Sequence, residues 1–274
     1  MSDALQSFVS IGEILTDQEE MTKLYLDIDG VLLSKDGTPA EGLVEFLEFA
    51  NANKKRIAAE QTDVSLFLPD EHPVSVFMAG SPGAGKTESS KNLIERFSKD
   101  HSSVLRIDPD DLRIQLPGYS GTNSSLFQGA TSILVERIHD ESLKKSQSFI
   151  FDGTFSNLKK ARENIQRSLK RGRFVQILYV YQEPLQAWRF VKAREKKDGR
   201  VIPPTAFVEE YFGARENIAV LKKEFGSEIQ IDIIIKNIDG SDYGYHENIG
   251  SIDGYIKEGY NRDSLLRAII DLKI

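Results

Sequence analysis

The stretch VSVFMA-GSPGAGKT, residues 74–87, decides the fold of this chain. Its first half is a mostly apolar run that predicts a buried strand, and the run ends at Gly80. A helical pattern follows the glycines, because Leu93, Ile94 and Phe97 recur at helical spacing. A strand, a glycine-rich turn and a helix in this order predict the start of a βαβ unit.

The turn itself, residues 80–87, matches the P-loop pattern G-x-x-x-x-G-K-[ST] in the strand-to-helix context that the pattern requires. Glycines let backbone N–H groups approach phosphate oxygens, and the helix N-terminus adds a favourable dipole. We expect Lys86 to reach the β and γ phosphates of ATP or GTP and Thr87 to bind Mg²⁺. The alternative is a glycine turn that only joins strand to helix. The predicted cofactor-binding residues are Gly80, Ser81, Pro82, Gly83, Ala84, Gly85, Lys86 and Thr87.

Four more apolar runs extend the βαβ pattern toward the C-terminus. Residues 104–107, 148–151, 174–180 and 229–235 predict strands, and residues 126–143 predict one of the helices between them. Strands that alternate with helices indicate a parallel sheet covered on both faces. The predicted fold class is therefore α/β, a P-loop NTPase-type parallel sheet flanked by helices, with a small N-terminal extension.

Polar residues directly after the strands are candidates for the acceptor site, because ligands of open α/β sheets bind outside the carboxyl ends of the strands. They are Asp108, Asp110, Asp111 and Arg113 after one strand, and Asp152 and Thr154 after the next. We interpret Asp110 as the base that accepts the proton of an acceptor hydroxyl. The alternative is a helix N-cap, which fits Asp108 before Pro109 better than Asp110.

A basic segment at residues 188–204 is interpreted as a lid over the transferred phosphate, although a solvated helix face explains some of its charges. Arginine suits the charge that spreads over the phosphate oxygens in the transition state. Arg194 and Arg200 are the predicted catalytic arginines, because the turn Asp198-Gly199 presents Arg200 at a bend. Arg189 is the reserve candidate.

The segment before the P-loop is organised differently. Apolar runs at residues 24–26 and 31–33 flank Asp27-Ile28-Asp29-Gly30, and residues 42–50 carry a helical pattern. Residues 54–70 turn polar and predict a linker or an entry into the first core strand. We therefore predict an N-terminal extension at residues 1–70 and one P-loop domain at residues 71–274.

Composition narrows the partners of this chain. Among its 274 residues, Lys+Arg number 35 and Asp+Glu 42, so the net charge of −7 argues against binding to nucleic acid or to an anionic membrane. Cysteine is absent, which excludes disulfides and thiolate chemistry. No apolar run is long enough for a membrane helix and no signal sequence is recognisable, so we expect a cytoplasmic protein.

With these residues assembled, the chain from about residue 70 onward resembles the zeta toxin family of P-loop kinases, the toxin half of bacterial toxin–antitoxin pairs. The family's glycine loop looks like residues 80–87 and its catalytic aspartate segment like residues 107–110, which places the base on Asp110. Its substrate-contacting glutamate looks like Glu136, and its Glu-Gly-Thr element looks like Asp152-Gly153-Thr154, where Asp shortens the reach by one methylene. The arginine lid followed by a proline is similar to residues 194–203, with Arg189 or Arg194 as its first arginine.

This resemblance implies ATP-dependent phosphorylation of the 3′-hydroxyl of UDP-N-acetylglucosamine. Glu136, Asp152 and Thr154 are then the expected substrate-binding residues. It also implies an antitoxin, either a separate protein or residues 1–70 acting in cis at a high effective concentration. The alternative for residues 1–70 is a purely structural extension that packs against the domain.

Two other functions fit parts of the sequence. Residues 24–33 resemble the first motif of haloacid dehalogenase-like phosphatases, and with the P-loop they suggest a polynucleotide kinase with an attached phosphatase. The incomplete phosphatase site and the negative net charge argue against this function. A non-enzymatic nucleotide switch is the third hypothesis, and the candidate base and lid arginines argue against it.

Overall fold

A computed structural model describes residues 25–26, 32–33, 43–99, 104–121, 123–257 and 259–272 of the chain. These residues divide into two compact units. The smaller unit includes the N-terminal part through Gln61, Pro109–His139 and Gly199–Val201. The larger unit includes Thr62–Asp108, Asp140–Asp198 and the chain from Ile202 onward.

The strands of the described residues follow the predicted sequence of elements closely. In chain order they are β1 (Tyr25–Leu26), β2 (Leu32–Leu33), β3 (Val74–Ala79), β4 (Leu105–Ile107), β5 (Phe149–Phe151), β6 (Phe174–Tyr181), β7 (Ile229–Lys236) and β8 (Asp242–His246). Strands β3 to β8 form a six-stranded sheet in the order β4-β5-β3-β6-β7-β8. Neighbouring strands are parallel from β4 to β7, which confirms the predicted α/β class, and only β8 runs antiparallel.

Helices precede, connect and follow the strands of the six-stranded sheet. They are α1 (Leu43–Gln61), α2 (Lys86–Lys99), α3 (Pro109–Arg113), α4 (Gln128–Lys144), α5 (Leu158–Leu169), α6 (Pro184–Asp198), α7 (Pro204–Phe225) and α8 (Arg262–Asp271). Helix α6 ends at Asp198, and Gly199 has a positive φ of 73°, so the bend predicted at this dipeptide is confirmed.

The core of the larger unit lies on both sides of the central strands. In β3, successive residues Val76, Phe77 and Met78 are all at most 2% exposed although they point to opposite faces. One face packs against α2, and a second cluster joins α6, α7 and α8 around Trp188, whose ring meets Phe207 edge-on at 5.1 Å. Burial on both faces explains why these strands are nearly continuous apolar runs in the sequence.

Strand β8 was missed because its sequence, DYGYH, is short and offers only two tyrosines at alternate positions, which is a weak strand signal. It is held by the buried carboxylate of Asp232 on β7, which accepts hydrogen bonds from the Tyr245 hydroxyl at 2.6 Å and from the Asn248 N–H at 2.8 Å. Burial, together with the Asp232 carboxylate, raises the pKa of Tyr245. The edge of the sheet therefore depends on polar contacts rather than on an apolar stripe.

The prediction of a polar linker from residue 54 was wrong for residues 54–61, because α1 continues to Gln61. The helix has a narrow buried stripe at helical spacing, formed by Ala50, Ile57 and Ala58, each at most 4% exposed. Burial of this stripe stabilises the helix although most of its other residues are polar. The pair Arg56–Glu60 lies on the exposed side of the same helix.

Residues 62–70 form an anchored loop within the larger unit. The Gln147 amide donates to the Thr62 carbonyl at 3.0 Å and to the Phe67 carbonyl at 2.7 Å. Asp70 accepts a hydrogen bond from the Ser148 hydroxyl at 2.8 Å. This loop is thus fixed to the start of β5 by side-chain contacts that sequence patterns do not reveal.

Within the smaller unit, α1 packs against the chain that precedes α4. The ring of Phe46 stacks on Phe127 with 4.0 Å between centroids, and Phe127 is fully buried. Strands β1 and β2 pair antiparallel as a two-stranded sheet. The motif Asp27-Ile28-Asp29-Gly30 lies outside the described residues. Over the part of the chain that the structure describes, the helices are too short or too polar to cross a bilayer.

Candidate functional site

The phosphate loop, residues 80–87, joins β3 to α2 in the larger unit and has its glycines where side chains do not fit. Gly80 and Gly83 have positive φ values of 135° and 73°. A Cβ at Gly80 would lie 2.3 Å from the Val180 carbonyl oxygen, and one at Gly83 would lie 2.2 Å from that of Ala187. Glycine is therefore required at these two positions both for the backbone turn and for close packing against β6 and α6.

Lys86 is the first residue of α2, and its ammonium turns back over the phosphate loop. It donates to the carbonyl oxygens of Gly80 at 2.9 Å and Ser81 at 2.7 Å. Thr87 follows on the exposed side of the first helical turn. The side chains that the motif assigns to phosphate and to metal are thus both presented at the N-terminus of α2.

The loop after β5 lies directly against the phosphate loop. The Gly80 N–H donates to the Thr154 carbonyl at 3.2 Å, which joins the two loops through their backbones. Phe155 has a positive φ of 64°, a conformation that costs energy for an aromatic residue. Asn217 on α7 stabilises it by donating to the carbonyl oxygens of Phe155 at 3.0 Å and Ser156 at 2.7 Å.

A buried cluster, Ser90, Arg106, Asp108 and Asp152, lies where β4 and β5 end; we call it the Arg106 cluster. The Arg106 guanidinium pairs with Asp108 and lies 2.7 Å from Asp152. The Ser90 hydroxyl lies 3.0 Å from the Asp152 carboxylate and 2.9 Å from the Thr87 carbonyl oxygen. Asp152, a predicted substrate ligand, is therefore buried beside the first turn of α2.

Replacing Arg106 with methionine is expected to destabilise the fold by about 3–5 kcal/mol, because two buried carboxylates would lose their shared cation. Urea unfolding monitored by circular dichroism measures this change. The matched control is Arg162→Met, because the Arg162–Glu224 pair is partly exposed, with each side chain 34% accessible. We expect that control to cost less than about 1 kcal/mol. Equal costs for the two variants would contradict the importance of the Arg106 cluster.

A second ionic group, in the smaller unit, surrounds the predicted base; we call it the Asp110 cluster. One Asp110 oxygen accepts a hydrogen bond from Arg113 at 3.0 Å, and the other pairs with Arg200. Arg113 is 4% exposed and also donates to the Gln128 amide oxygen at 2.9 Å. Burial, with a further contribution from the Arg200 charge, lowers the pKa of Arg113.

The other predicted site residues have simpler surroundings. Arg194 lies on α6 in the larger unit, is half-exposed and contacts Asp198 at 3.4 Å. Arg189, the reserve candidate, is also exposed on α6. Glu136 is exposed on the part of α4 that belongs to the smaller unit. The structure therefore brings Arg200 to Asp110, whereas Arg194 is engaged within its own helix.

Sequence reasoning missed Arg106, Asn217 and the role of Arg113. One signal for Arg106 was available, since it is a charged residue at the centre of the short buried strand LRI. Such a residue is expected to have a buried partner of opposite charge. Asn217 gave no signal, because its contacts depend on how α7 lies against a distant loop.

The strand order of the sheet and the glycine loop between β3 and α2 define a P-loop protein with a kinase-type fold. The family model for zeta toxin matches residues 57–249 of the sequence. Because that match covers most of the chain, the protein belongs to the zeta toxin family.

Several solved structures share the fold of this chain. A chain from the PezAT chromosomal toxin–antitoxin system of Streptococcus pneumoniae aligns with a TM-score of 0.55 and 15% identity, over 83% of this chain and 93% of that one. AvrRxo1-ORF1:AvrRxo1-ORF2 with sulphate ions aligns at 0.52 and 17%, over 85% and 73%. The same pair with ATP aligns at 0.50 and 17%, over 75% and 64%. The comparison with curated proteins found no match.

Proposed function

We propose that this protein is an ATP-dependent phosphotransferase that acts on an alcohol group. The observation that carries the proposal is the phosphate loop, in which the Lys86 ammonium lies over the loop carbonyls at the N-terminus of α2; this position supports triphosphate binding. Membership of the zeta toxin family supports the same reaction. A structure of the similar AvrRxo1 pair holds ATP, which favours ATP over GTP as the donor.

In this proposal Asp110 takes the proton of the acceptor hydroxyl as the hydroxyl oxygen bonds to the γ phosphorus of ATP. The bond from that phosphorus to the oxygen bridging the β and γ phosphates breaks, and ADP leaves. Arg113 is buried and holds one carboxylate oxygen, so it fixes the orientation of the base. Arg200 occupies the other oxygen and is half-buried on a three-residue segment of the smaller unit. Release of Arg200 would free that oxygen for the proton and free the guanidinium for the phosphate oxygens.

The side-chain oxygens near the start of α2 fit a Mg²⁺ ion that is held partly by the phosphates of the bound nucleotide. The Thr87 hydroxyl is on the exposed side of α2, and the Ser90 hydroxyl joins the Thr87 carbonyl to the Asp152 carboxylate. Mg²⁺ is commonly held by one or two protein oxygens together with phosphate oxygens. When bound, the ion would neutralise charge on the β and γ phosphates.

For the acceptor, we propose the 3′-hydroxyl of UDP-N-acetylglucosamine, with Glu136, Asp152 and Thr154 as ligands. The support is the family resemblance of these positions. The test incubates the purified protein with labelled ATP and a panel of UDP-sugars, nucleosides and 5′-hydroxyl oligonucleotides. We expect label on UDP-N-acetylglucosamine alone, whereas labelled oligonucleotides would identify a polynucleotide kinase and an unlabelled panel would refute the proposed acceptor.

The two candidate lid arginines are expected to differ in importance. Arg200→Met should lower kcat by roughly a hundredfold or more, because it removes a cation that stabilises the transferring phosphate. Arg194→Met should lower it by less than about tenfold, since its guanidinium lies half-exposed near Asp198. Steady-state kinetics with saturating ATP measure both, and the reverse order would assign the catalytic role to Arg194.

Residues 1–70 are proposed as an extension, and the division at residue 70 stays a prediction, as does the phosphatase-like motif at residues 24–33. The stack of Phe46 on Phe127 and the buried Ala58 favour a packing role for α1 over a tethered inhibitor. A separate antitoxin is the partner that the proposal then requires, as the name of the PezAT system suggests for that relative.

Deleting residues 1–61 distinguishes the two roles, and it leaves the loop at residues 62–70 anchored by Gln147. We expect lower kinase activity per folded molecule, because Phe127 and its neighbours would become exposed. Activity above that of the full-length protein would instead support inhibition in cis. Separate addition of the deleted peptide is the control, since inhibition in trans should need much higher concentrations.

A further inference from the structure

A second lysine lies against the phosphate loop. Lys236, the last residue of β7, has a side chain that is 1% exposed, which is rare for lysine. Its Cε is 3.2 Å, and its ammonium nitrogen 3.7 Å, from the point where a Cβ of Gly85 would stand. Gly85 immediately precedes Lys86 in the loop. The Lys236 ammonium is therefore next to the backbone that is expected to meet the phosphates.

The partner of this buried cation comes from the edge of the sheet. Asp242, the first residue of β8, lies 2.6 Å from the Lys236 ammonium and is itself 49% exposed. Strand β8 pairs antiparallel with β7, and its register sets Asp242 opposite Lys236. A buried ammonium that is paired with a half-exposed carboxylate is only partly neutralised. It therefore still attracts a nearby anion.

We infer that Lys236 is a second cation that stabilises bound phosphate: its ammonium lies behind Gly85 and attracts the triphosphate on the loop. Asp242 partly neutralises this charge. This inference rests on the proposed function, since it assumes that the loop holds a triphosphate. It also gives the edge hairpin β7–β8 a role in nucleotide affinity. An ordinary structural ion pair would stabilise the fold without any preference for phosphate.

Two substitutions separate the two interpretations, which predict different signs for Asp242→Asn. Lys236→Met keeps the methylene packing on Gly85 and removes the charge, so it should weaken binding of ATP and inorganic tripolyphosphate by roughly tenfold. Asp242→Asn removes the competing anion, so it should tighten binding of both ligands by about twofold to threefold. A structural ion pair predicts weaker binding, or no change, in both variants.

Isothermal titration of the full-length protein with ATP, tripolyphosphate and adenosine measures these effects without any acceptor. Lys222→Met is the matched control, because Lys222 donates to the Ile229 carbonyl at the opposite end of β7 and should bind ATP like the wild type. Weaker binding by Asp242→Asn, or unchanged binding by a folded Lys236→Met, would overturn the inference. If the wild type bound neither ATP nor tripolyphosphate, the proposed function itself would fail. If Lys236→Met did not fold, the sign of the half-exposed Asp242→Asn would still decide.

Discussion

Replacing Lys86 with alanine is expected to abolish phosphoryl transfer while the protein remains folded. The Lys86 ammonium donates to the backbone oxygens of Gly80 and Ser81, and the residue is partly exposed. Its loss should therefore cost little stability, because no large apolar contact is removed. It should cost roughly a thousandfold in kcat, since a cation at the β and γ phosphates is lost where charge develops.

The measurement is the rate of label transfer from ATP at saturating acceptor, with thermal unfolding recorded on the same sample. Lys91→Ala is the matched control, because Lys91 is exposed on the same helix and should leave the rate unchanged. Activity of Lys86→Ala near that of the wild type would refute the assignment of the phosphate loop.

Asp110→Asn should lower kcat by roughly a hundredfold or more, with little change in ATP affinity. The amide keeps the shape of the carboxylate but cannot accept a proton. It also loses the charge that pairs with Arg113 and Arg200, so some stability should be lost as well. Separate titration of ATP binding and single-turnover kinetics therefore distinguish a chemical defect from a binding defect.

The informative comparison is with the neighbouring aspartates. Asp108→Asn alters the Arg106 cluster and should reduce stability more than turnover. Asp111→Asn lies on the exposed side of α3 and should behave like the wild type. If Asp110→Asn kept its turnover and lost only stability, the base would have to be sought at Asp108 or Asp152.

Much of the sheet could be predicted because its strands are short apolar runs buried on both faces. The runs at residues 74–79 and 229–235 nearly coincide with β3 and β7. Strand β8 and the end of α1 could not be predicted in this way. Strand β8 depends on the buried Asp232, and α1 depends on a narrow stripe around Ile57 and Ala58. The first is a contact between strands that local patterns do not contain, whereas the second recurs at helical spacing but is too narrow to stand out among the polar residues of α1.

The glycine loop was predictable as a motif, but the reason why two of its positions must be glycine was not. Gly80 and Gly83 are required by close approach to Val180 and Ala187, residues about a hundred positions later in the chain. The pairing of Arg200 with Asp110 was likewise invisible, although each residue was singled out separately. Residue types could be inferred from chemistry, whereas their partners required the tertiary structure.

The close approach of Gly83 to Ala187 also has a spectroscopic consequence. The single tryptophan of the chain, Trp188, is the next residue along α6 and is 4% exposed against Phe207. The Lys192 ammonium lies 5.7 Å from its ring. We expect the emission of this shielded indole, one residue from the contact between Gly83 and α6, to change when the loop is occupied. A ligand titration followed by intrinsic emission, with neither a dye nor an introduced label, tests this.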